Sequence, residues 1–350
     1  MNEAVDHKCP HCDATLKFNP HGGNWKCEYC KSEFNLEELS KKDEKKNQEE
    51  KIVKSTKNED GMDVYTCQNC GATIVTDPNV STTSCVYCKN TAILKDKLQG
   101  DFNPEYVIPF KHTKEDAILA FKKLGKGKIF MPKEFNVKKN IKDISGIYIP
   151  FWLFDYNASG EMNADCKRIT SWRSGNYRYT KTDTYLATRG GNMSFSNIPV
   201  DGSKRFPNDI MNSIEPFNYG DLKDFNYSYL SGFLSEKYDM TSEEVSVEAI
   251  NRAKNTFIDE MKKDINGYNS VIPTTNSINL NNTKKEYVLL PVWMLNVKYK
   301  DKIHTLAMNG QTGKMVGNIP IDWKKVILTW ILIFVLTFAI MYALSYFKVI

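Results

Sequence analysis

Eight of the nine cysteines in this chain of 350 residues fall into two copies of one spacing, in which two CxxC pairs stand fourteen residues apart. They are Cys9, Cys12, Cys27 and Cys30, followed by Cys67, Cys70, Cys85 and Cys88. Two residues between thiolates form a tight turn that points both sulfurs at one ion, and the connecting segment brings the second pair to the opposite side. The repeat therefore predicts two tetrahedral zinc sites.

Both predicted sites are structural rather than catalytic. Four sulfur ligands leave no coordination position for water or substrate. Each unit has roughly 30 residues, which is too few to bury a self-sufficient core, so metal binding and folding should be one equilibrium. His7, His11 and His21 lie around the first site and are alternative ligands, but four cysteines make them unnecessary.

A disulfide framework is the rival interpretation of the cysteines, because small secreted domains commonly use one. The first ten residues carry Glu3, Asp6 and Lys8 and contain no apolar stretch, so they do not resemble a signal peptide. CxxC pairs in a reducing compartment favour metal instead.

The opposite end of the chain predicts a membrane anchor. Residues Val326 to Phe347 form a run of 22 residues without a charge, and as a helix they would span about 33 Å against a hydrocarbon core of about 30 Å. A buried core helix is the alternative, but such helices usually carry polar positions. Trp323 and Trp330 suit one interfacial belt, and Tyr342 suits the other.

The flanking charges predict the orientation of this anchor. Lys314, Lys324 and Lys325 precede the apolar run and only Lys348 follows it. Positive residues favour the cytoplasmic side, so we expect a tail-anchored protein of the cell membrane whose N-terminal part is cytoplasmic.

Between the cysteines and the anchor lies enough chain for an α+β body. Thr113 with Asp116 and Thr241 with Glu244 form capping-box patterns ahead of two amphipathic helices. Residues 302–317 alternate and carry turn signals at Asn309-Gly310 and Thr312-Gly313, which predicts antiparallel hairpins. Residues 176–199 are rich in Tyr and Thr and contain Gly190-Gly191, which predicts further strands.

Two matching strands predict an internal duplication of this body. Residues 148–155 read YIPFWLFD and residues 289–296 read LLPVWMLN, which aligns Pro150 with Pro291 and Trp152 with Trp293. Both runs are nearly continuously apolar, as is typical of strands covered on two faces. The sequence thus predicts a multi-domain chain: zinc ribbon 1 (1–35), a charged linker (36–60), zinc ribbon 2 (61–98), the α+β body (101–320) and a transmembrane helix (326–347).

Charge argues against nucleic acid as a partner. Residues 1–100 contain 14 lysines and no arginine against 16 acidic residues, and each four-thiolate zinc site adds about two further negative charges. Ten lysines gather between residues 110 and 142 against three acidic residues. This basic stretch is either a solvated helix face or a contact with anionic lipid or a partner.

A search for catalytic motifs finds no GxSxG, HExxH or dinucleotide fingerprint. Cys166 is a candidate nucleophile, although a lone cysteine beside a strand is more often an apolar filler. Trp172 with Arg173, Tyr177 with Arg178, and the pair Tyr227 and Tyr229 interleave aromatic and polar groups on segments expected to be loops, which suits a protein-binding surface. The alternative is that these aromatic side chains are scattered on the surface and have no role in binding.

Five features of the chain carry a resemblance: the paired CxxC units, the segments PFKHTKEDAILAFKKL and GIYIPFWLFDY, the later LLPVWMLNVKY with NGQTGK, and the terminal span. Together they resemble a family of bacterial tail-anchored double zinc-ribbon proteins. Such proteins carry transcription-factor-IIB-type zinc-ribbon or primosomal-helicase-like labels. The resemblance implies partners related to phage-shock and flotillin-like membrane proteins, and a role in envelope stress. The chain has no helicase motif, and Asp13 stands where many knuckles carry glycine.

From these observations we expect a non-enzymatic, membrane-anchored scaffold with two structural zinc ions that recruits cytoplasmic or membrane proteins. A membrane-linked nucleic-acid binder is the alternative. An enzyme that uses a cleft of the body is a third possibility, and it predicts convergent polar groups with shifted pKa values in one pocket.

Overall fold

The computed structural model describes residues 2–4, 7–39, 56–57, 62–67, 70–85, 91–124, 127–132, 135, 143–300 and 302–346. Its described part is a mixed α+β fold built on one ten-stranded sheet, with two small sheets near the N-terminus. The predicted α+β class is therefore confirmed. Cys88, residues 40–55 and 58–60 of the predicted linker, and Phe347 lie outside the described residues.

Two small sheets are formed by strands that precede and connect the cysteines. They comprise β1 (Asn2–Ala4), β2 (Leu16–Asn19), β3 (Asn24–Cys27), β4 (Glu33–Phe34), β5 (Thr56–Lys57), β6 (Asp63–Cys67) and β7 (Thr73–Thr76). Strands β2, β3 and β4 form one sheet, and β1, β6, β5 and β7 form the other.

The large sheet contains all the remaining strands. They are β8 (Val80–Ser84), β9 (Thr91–Ile93), β10 (Tyr106–Val107), β11 (Ser145–Ser174), β12 (Tyr177–Asp201), β13 (Lys223–Asp224), β14 (Leu234–Glu236), β15 (Ser270–Tyr299), β16 (Lys302–Asn309) and β17 (Met315–Gly317). The main path runs β13-β10-β15-β11-β14-β8-β9, with β12 beside β11 and β16 beside β15. The hairpin predicted at residues 302–317 is present as β16 and β17.

Four α-helices lie wholly within the described residues: α1 (Lys114–Leu124), α2 (Asn208–Ser213), α3 (Ser242–Lys263) and α4 (Trp323–Tyr346). Both predicted capping boxes form. The Thr113 N–H donates to Asp116 Oδ2 at 2.8 Å, and Asp116 N–H donates to Thr113 Oγ1 at 3.3 Å. Thr241 caps α3 in the same reciprocal way with Glu244. Local sequence therefore fixes where both amphipathic helices begin.

The core lies around β11 and β15, which pair in antiparallel fashion at the centre of the sheet. Tyr148 and Phe154 of β11 belong to the apolar cluster on one face, with Phe121 of α1 and Ala249 of α3. Phe151 belongs to the cluster on the other face, together with residues of α2. Burial on both faces is what the two continuous apolar runs predicted.

Several contacts made around β11 recur around β15. Gly202 N–H donates to Pro150 O at 2.9 Å, and Gly310 N–H donates to Pro291 O at 2.8 Å. Strand β14 pairs in parallel with β11 through Ile147 and Leu234, and β10 pairs in parallel with β15. Strands β11 and β15 thus share a pattern of hydrogen bonds as well as a sequence motif.

The long strands continue beyond the core as an arm. On one side, Ala158, Met162 and Cys166 pack against Phe257 and Met261 of α3. Pairing of β11 with β15 ends at Lys167 and Ser270, whereas β11 and β12 stay paired to Ser174 and Tyr177. We call this terminal two-stranded segment, residues 168–183, the arm tip. Cys166 is thus a buried packing residue of the arm, as the apolar interpretation expects.

Candidate metal centres

The structure gathers the first cysteine set around one point. The sulfurs of Cys9, Cys12, Cys27 and Cys30 all lie within 4.8 Å of one another. Cys9 Sγ and Cys30 Sγ are 3.5 Å apart, as are Cys12 Sγ and Cys27 Sγ. A disulfide requires about 2.05 Å, whereas sulfurs at the corners of a zinc tetrahedron with bonds of about 2.3 Å lie about 3.8 Å apart. The spacing fits a tetrahedral ion and not a pair of disulfides.

The second set follows the same plan in its described part. Sulfurs of Cys67, Cys70 and Cys85 lie within 4.8 Å of one another, and Cys70 Sγ is 3.7 Å from Cys85 Sγ. The predicted fourth ligand, Cys88, lies outside the described residues. No disulfide joins any of the eight described cysteines, Cys166 included.

Backbone hydrogen bonds shape each described knuckle in the same way. In the first, Cys9 N–H donates to Ala14 O and Asp13 N–H donates to Cys9 O. The knuckles at Cys27 and Cys67 repeat both bonds with the residues four and five positions further on. These turns fold the chain back so that both sulfurs point inward.

The residue after each of the first three CxxC pairs, which are the described ones, adopts a left-handed backbone conformation. Gly71 has φ of 73°, Asp13 has 61° and Lys31 has 62°. Glycine takes this conformation without strain, and aspartate tolerates it better than most residues. The first knuckle therefore closes like the second even though Asp13 replaces glycine.

Electrostatics show why the first cluster suits a cation. Ser32 lies 3.2 Å from Cys30 Sγ, and its hydrogen bonds lower the pKa of the Cys30 thiol to about 6. At Cys12 the backbone of Ala14 lowers the pKa, but burial and the neighbouring sulfurs outweigh it and raise the pKa to about 12. Four thiolates in this volume require a positive ion to neutralise them.

The nearby histidines point to other partners. His11 Nδ1 lies 3.0 Å from Ser32 Oγ, and its ring packs edge-on against Phe34. His21 Nε2 lies 2.7 Å from Asp116 Oδ2 on α1. Within the described residues, both metal-type clusters consist of cysteine alone.

The first cysteine segment is docked on the body through aromatic side chains. Trp25 is buried and donates its indole N–H to Ser228 O at 2.7 Å. Its ring centroid is 5.0 Å from that of Phe18 and 5.3 Å from that of Tyr229. Sequence reasoning missed this contact, although an aromatic pair on so small a unit was a usable signal.

The second cysteine segment is hydrogen-bonded into the large sheet. Strand β8 pairs with β14, and Ser81 Oγ lies 2.7 Å from Ser235 Oγ. At its base, the buried Lys97 ammonium forms an ion pair with Asp63, and Tyr65 donates to Asp96 at 3.0 Å. An ion at this cluster would thus stabilise an edge of the body.

A cavity of about 660 Å³ lies between the first cysteine segment and the body, with Phe18, Lys26, Ser145, Phe233 and Trp293 among its walls. Burial raises the pKa of Asp201, Glu215 and Glu236 elsewhere in the body. These three carboxyl groups do not line the cavity.

The chain is 36% identical over 322 residues to the uncharacterized protein YdjG of Bacillus subtilis strain 168, and the alignment covers 92% of each protein. The match supports a YdjG-type protein, as the sequence resemblance implies. No family model matches the chain. No solved structure matches it either.

Proposed function

The chain belongs to the family of the Bacillus subtilis protein YdjG, and from that premise we propose that it is a non-enzymatic scaffold, anchored in the cell membrane, that recruits protein partners on its cytoplasmic side. Two structural zinc ions would hold its N-terminal ribbons. The observation that carries the proposal is the arm tip, which projects from a rigid core and presents arginine and aromatic side chains.

Zinc is the ion that the clusters suit best. All ligands are thiolates, the four described sulfurs of the first cluster match a tetrahedron, and no ligand position is left open for chemistry. Cys88 would complete the second site. Cys9, Cys27, Cys67 and Cys85 are buried, so an ion there would hold the ribbons against the body.

Helix α4 supports the membrane anchor. Its segment Trp323–Tyr342 has a mean hydropathy of 2.2, and none of that segment is buried against the protein. A helix that is apolar all round and unburied needs an apolar solvent. The lysines ahead of it favour a cytoplasmic body, and thiolate ligands favour the same reducing compartment.

We also propose that the body is an internal duplication. Trp152 donates its indole N–H to Met240 O at 3.0 Å, one residue before the α3 cap. Trp293 donates to His112 O at the same distance, one residue before the α1 cap. The tryptophan of each half would thus hold the start of the helix that belongs to the other half. This exchange of hydrogen bonds supports a common origin for the two units.

The arm tip has the chemistry of a binding surface. Residues 167–182 are all exposed, and Trp172 stacks on Tyr179 from the opposite strand with centroids 5.7 Å apart. Arg173 lies directly opposite Arg178. Like charges in direct opposition destabilise a hairpin, so this pair suits a partner that brings carboxylates to it. A protein segment with acidic and aromatic residues fits these groups.

Proteins related to phage-shock and flotillin-like membrane proteins are the first candidates, as the family resemblance implies. Capture from solubilised membranes with the full chain tests the proposal. We expect one or more proteins to be lost when Trp172→Ala, Arg173→Glu and Arg178→Glu are combined. Lys204→Glu with Lys262→Glu, two exposed body positions, is the control and should retain them. An unchanged set of partners would contradict the role of the arm tip.

Nucleic acid remains the second candidate because stacked aromatics beside arginines also bind single strands. A salt-sensitive shift of labelled single-stranded DNA or RNA, abolished by the same three substitutions, would favour that function. The acidic balance of residues 1–100 favours the protein partner.

A further inference from the structure

We infer that the body makes a second contact with the membrane beside the anchor, through a loop that dips into the headgroup region. This inference rests on the proposed function of α4 as a membrane span. The contact surface, which we call the entry surface, consists of Ile129, Phe130, Ile321 and Trp323, and its occupant is an anionic lipid bilayer.

The loop at residues 128–131 is joined to the start of α4 by two hydrogen bonds. Asp322 N–H, immediately before α4, donates to Phe130 O at 2.8 Å. Lys325 in the first turn donates its ammonium to Met131 O at 2.6 Å. A hydrogen bond from each side of Trp323 therefore places residues 130 and 131 at the depth at which the helix enters the bilayer.

The loop is also held from the side of the body. Met131 N–H donates to Lys128 O at 3.1 Å, which closes a turn at residues 128–131. Pro132 is buried, and the fully buried Phe135 packs edge-on against His304 and Tyr299. The turn is therefore held by α4 at Phe130 and Met131 and followed by the buried Pro132 and Phe135, which keeps it at the surface beside the start of α4.

Its outward side chains are apolar. Ile129 is 76% exposed, Trp323 is 68% exposed and Ile321 is 56% exposed. Phe130 is 38% exposed. Four large apolar side chains around one helix entry are costly in water, but they suit the boundary between headgroups and acyl chains, where tryptophan and phenylalanine are favoured.

The charged residues that flank the entry surface along the chain are complementary to anionic lipid. Lys122 and Lys123 in the last turn of α1, Lys128 in the turn and Lys324 in the first turn of α4 are all exposed. Lysines near a bilayer surface are attracted to anionic headgroups. Lys122, Lys123 and Lys128 belong to the basic stretch of residues 110–142, and Lys324 belongs to the start of the anchor helix. Five further lysines of that stretch, Lys126, Lys133, Lys138, Lys139 and Lys142, lie outside the described residues.

Two membrane contacts on one body would fix its tilt as well as its location. A single helix leaves the attached domain free to rotate about the entry point, whereas a second contact at the same depth restricts that rotation. The entry surface therefore orients the sheet and its arm relative to the membrane.

Photocrosslinking of the full chain tests the inference. The protein is reconstituted in vesicles of phosphatidylcholine and phosphatidylglycerol, with p-benzoylphenylalanine replacing Ile129, Trp330 within the span, or Tyr29, which is 81% exposed on the first cysteine segment. We expect lipid adducts from positions 129 and 330 and at least a several-fold lower yield from position 29. Replacing Lys122, Lys123 and Lys128 with glutamine should lower the yield at position 129 severalfold and leave position 330 unchanged.

The outcomes separate the two proposals. Adducts at 330 without adducts at 129, or adducts from 129 to protein instead of lipid, overturn the entry surface and leave the anchor standing. Absence of lipid adducts at 330 overturns the anchor and with it the entry surface. In vesicles of pure phosphatidylcholine, the glutamine variant should give the same adduct yield at position 129 as the wild type. That result would show that the lysines act through the anionic headgroup.

Discussion

Ile149 and Leu290 are direct partners in the pairing of β11 with β15, and they are separated by the same number of residues as Trp152 and Trp293. Each is therefore paired with its own counterpart in the proposed duplication. A local two-fold axis would pass between them and relate the two Pro-x-Trp strands, the two capped helices and the two exchanged tryptophan hydrogen bonds.

The first prediction concerns those tryptophans. Trp152→Phe and Trp293→Phe each remove one indole donor and leave a carbonyl without its partner, so each should lower the free energy of unfolding by about 1–3 kcal/mol. Circular dichroism during thermal unfolding measures the effect without relying on tryptophan emission. Trp172→Phe, at a half-exposed position of the arm tip, should change it by less than about 0.5 kcal/mol. A large loss at only one of the two buried sites would argue against equivalent roles.

The second prediction concerns metal content. Elemental analysis should find two zinc ions per wild-type chain and one in Cys27→Ser or Cys85→Ser, because each removes a buried ligand from one cluster. Cys166→Ala is the matched control, since that thiol is equally buried but lies in the arm, and it should retain both ions. Two ions retained in Cys27→Ser would contradict the first site.

A third prediction follows from a buried carboxyl group. Burial raises the pKa of Asp201 from 3.8 to about 6, helped by the nearby Glu248 carboxylate. Neither of its oxygens has a hydrogen-bond partner within the described part of the chain. The folded protein therefore binds the proton more tightly than the unfolded chain, so ionisation of Asp201 costs stability above pH 6 and that cost disappears as the pH falls towards 4.

Asp201→Asn should therefore raise the free energy of unfolding by about 2–3 kcal/mol at pH 8 and by little at pH 4.5. The equivalent position in the other half is Asn309, whose amide donates to Ile214 O and Pro216 O. Urea unfolding at both pH values measures the difference. Asp259→Asn, which removes the same charge from an exposed position of α3, should show no such pH dependence.

The fourth prediction separates stability from binding at the arm tip. Arg178→Glu places a carboxylate directly opposite Arg173, which should stabilise the hairpin by about 0.2–1 kcal/mol. The same change should weaken capture of an acidic partner. Amide exchange of residues 168–183 reports the first effect and co-purification reports the second. A variant with slower exchange and undiminished capture would contradict binding through the arginine pair.

The sequence predicts those parts of the fold in which local rules and burial agree. The capping residues Thr113 and Thr241 mark both helix starts, and the apolar runs at residues 148–155 and 289–296 mark the doubly covered strands. The cysteine spacing likewise predicts which sulfurs meet, since two-residue turns leave little freedom.

The sequence predicts only part of the arm. Residues 176–199 are expected to form strands and do so in β12, whereas Trp172, Arg173, Tyr177 and Arg178 are expected on loops and instead lie in β11 and β12. Beyond Lys167 both faces of β11 are exposed, so no hydrophobic alternation marks the strand, and its Thr, Tyr and Trp residues give only a weak preference for extended structure.

The docking of the cysteine segments could not be predicted from local patterns. Tyr229, expected on the same kind of surface as the aromatic residues of the arm tip, is buried against Trp25. Trp25 finds its acceptor, Ser228, 203 residues away. Such a contact depends on the assembled sheet and leaves no local pattern.

Strand β11 runs for 30 residues, which corresponds to roughly 100 Å of extended chain. In the proposed function, this length sets the distance between the core and the bound partner, because a paired strand has a fixed rise per residue whereas a flexible linker does not. Adding two residues to each strand of the hairpin would advance the Trp172–Tyr179 pair by roughly 7 Å on the same face, whereas adding one would turn it to the other side.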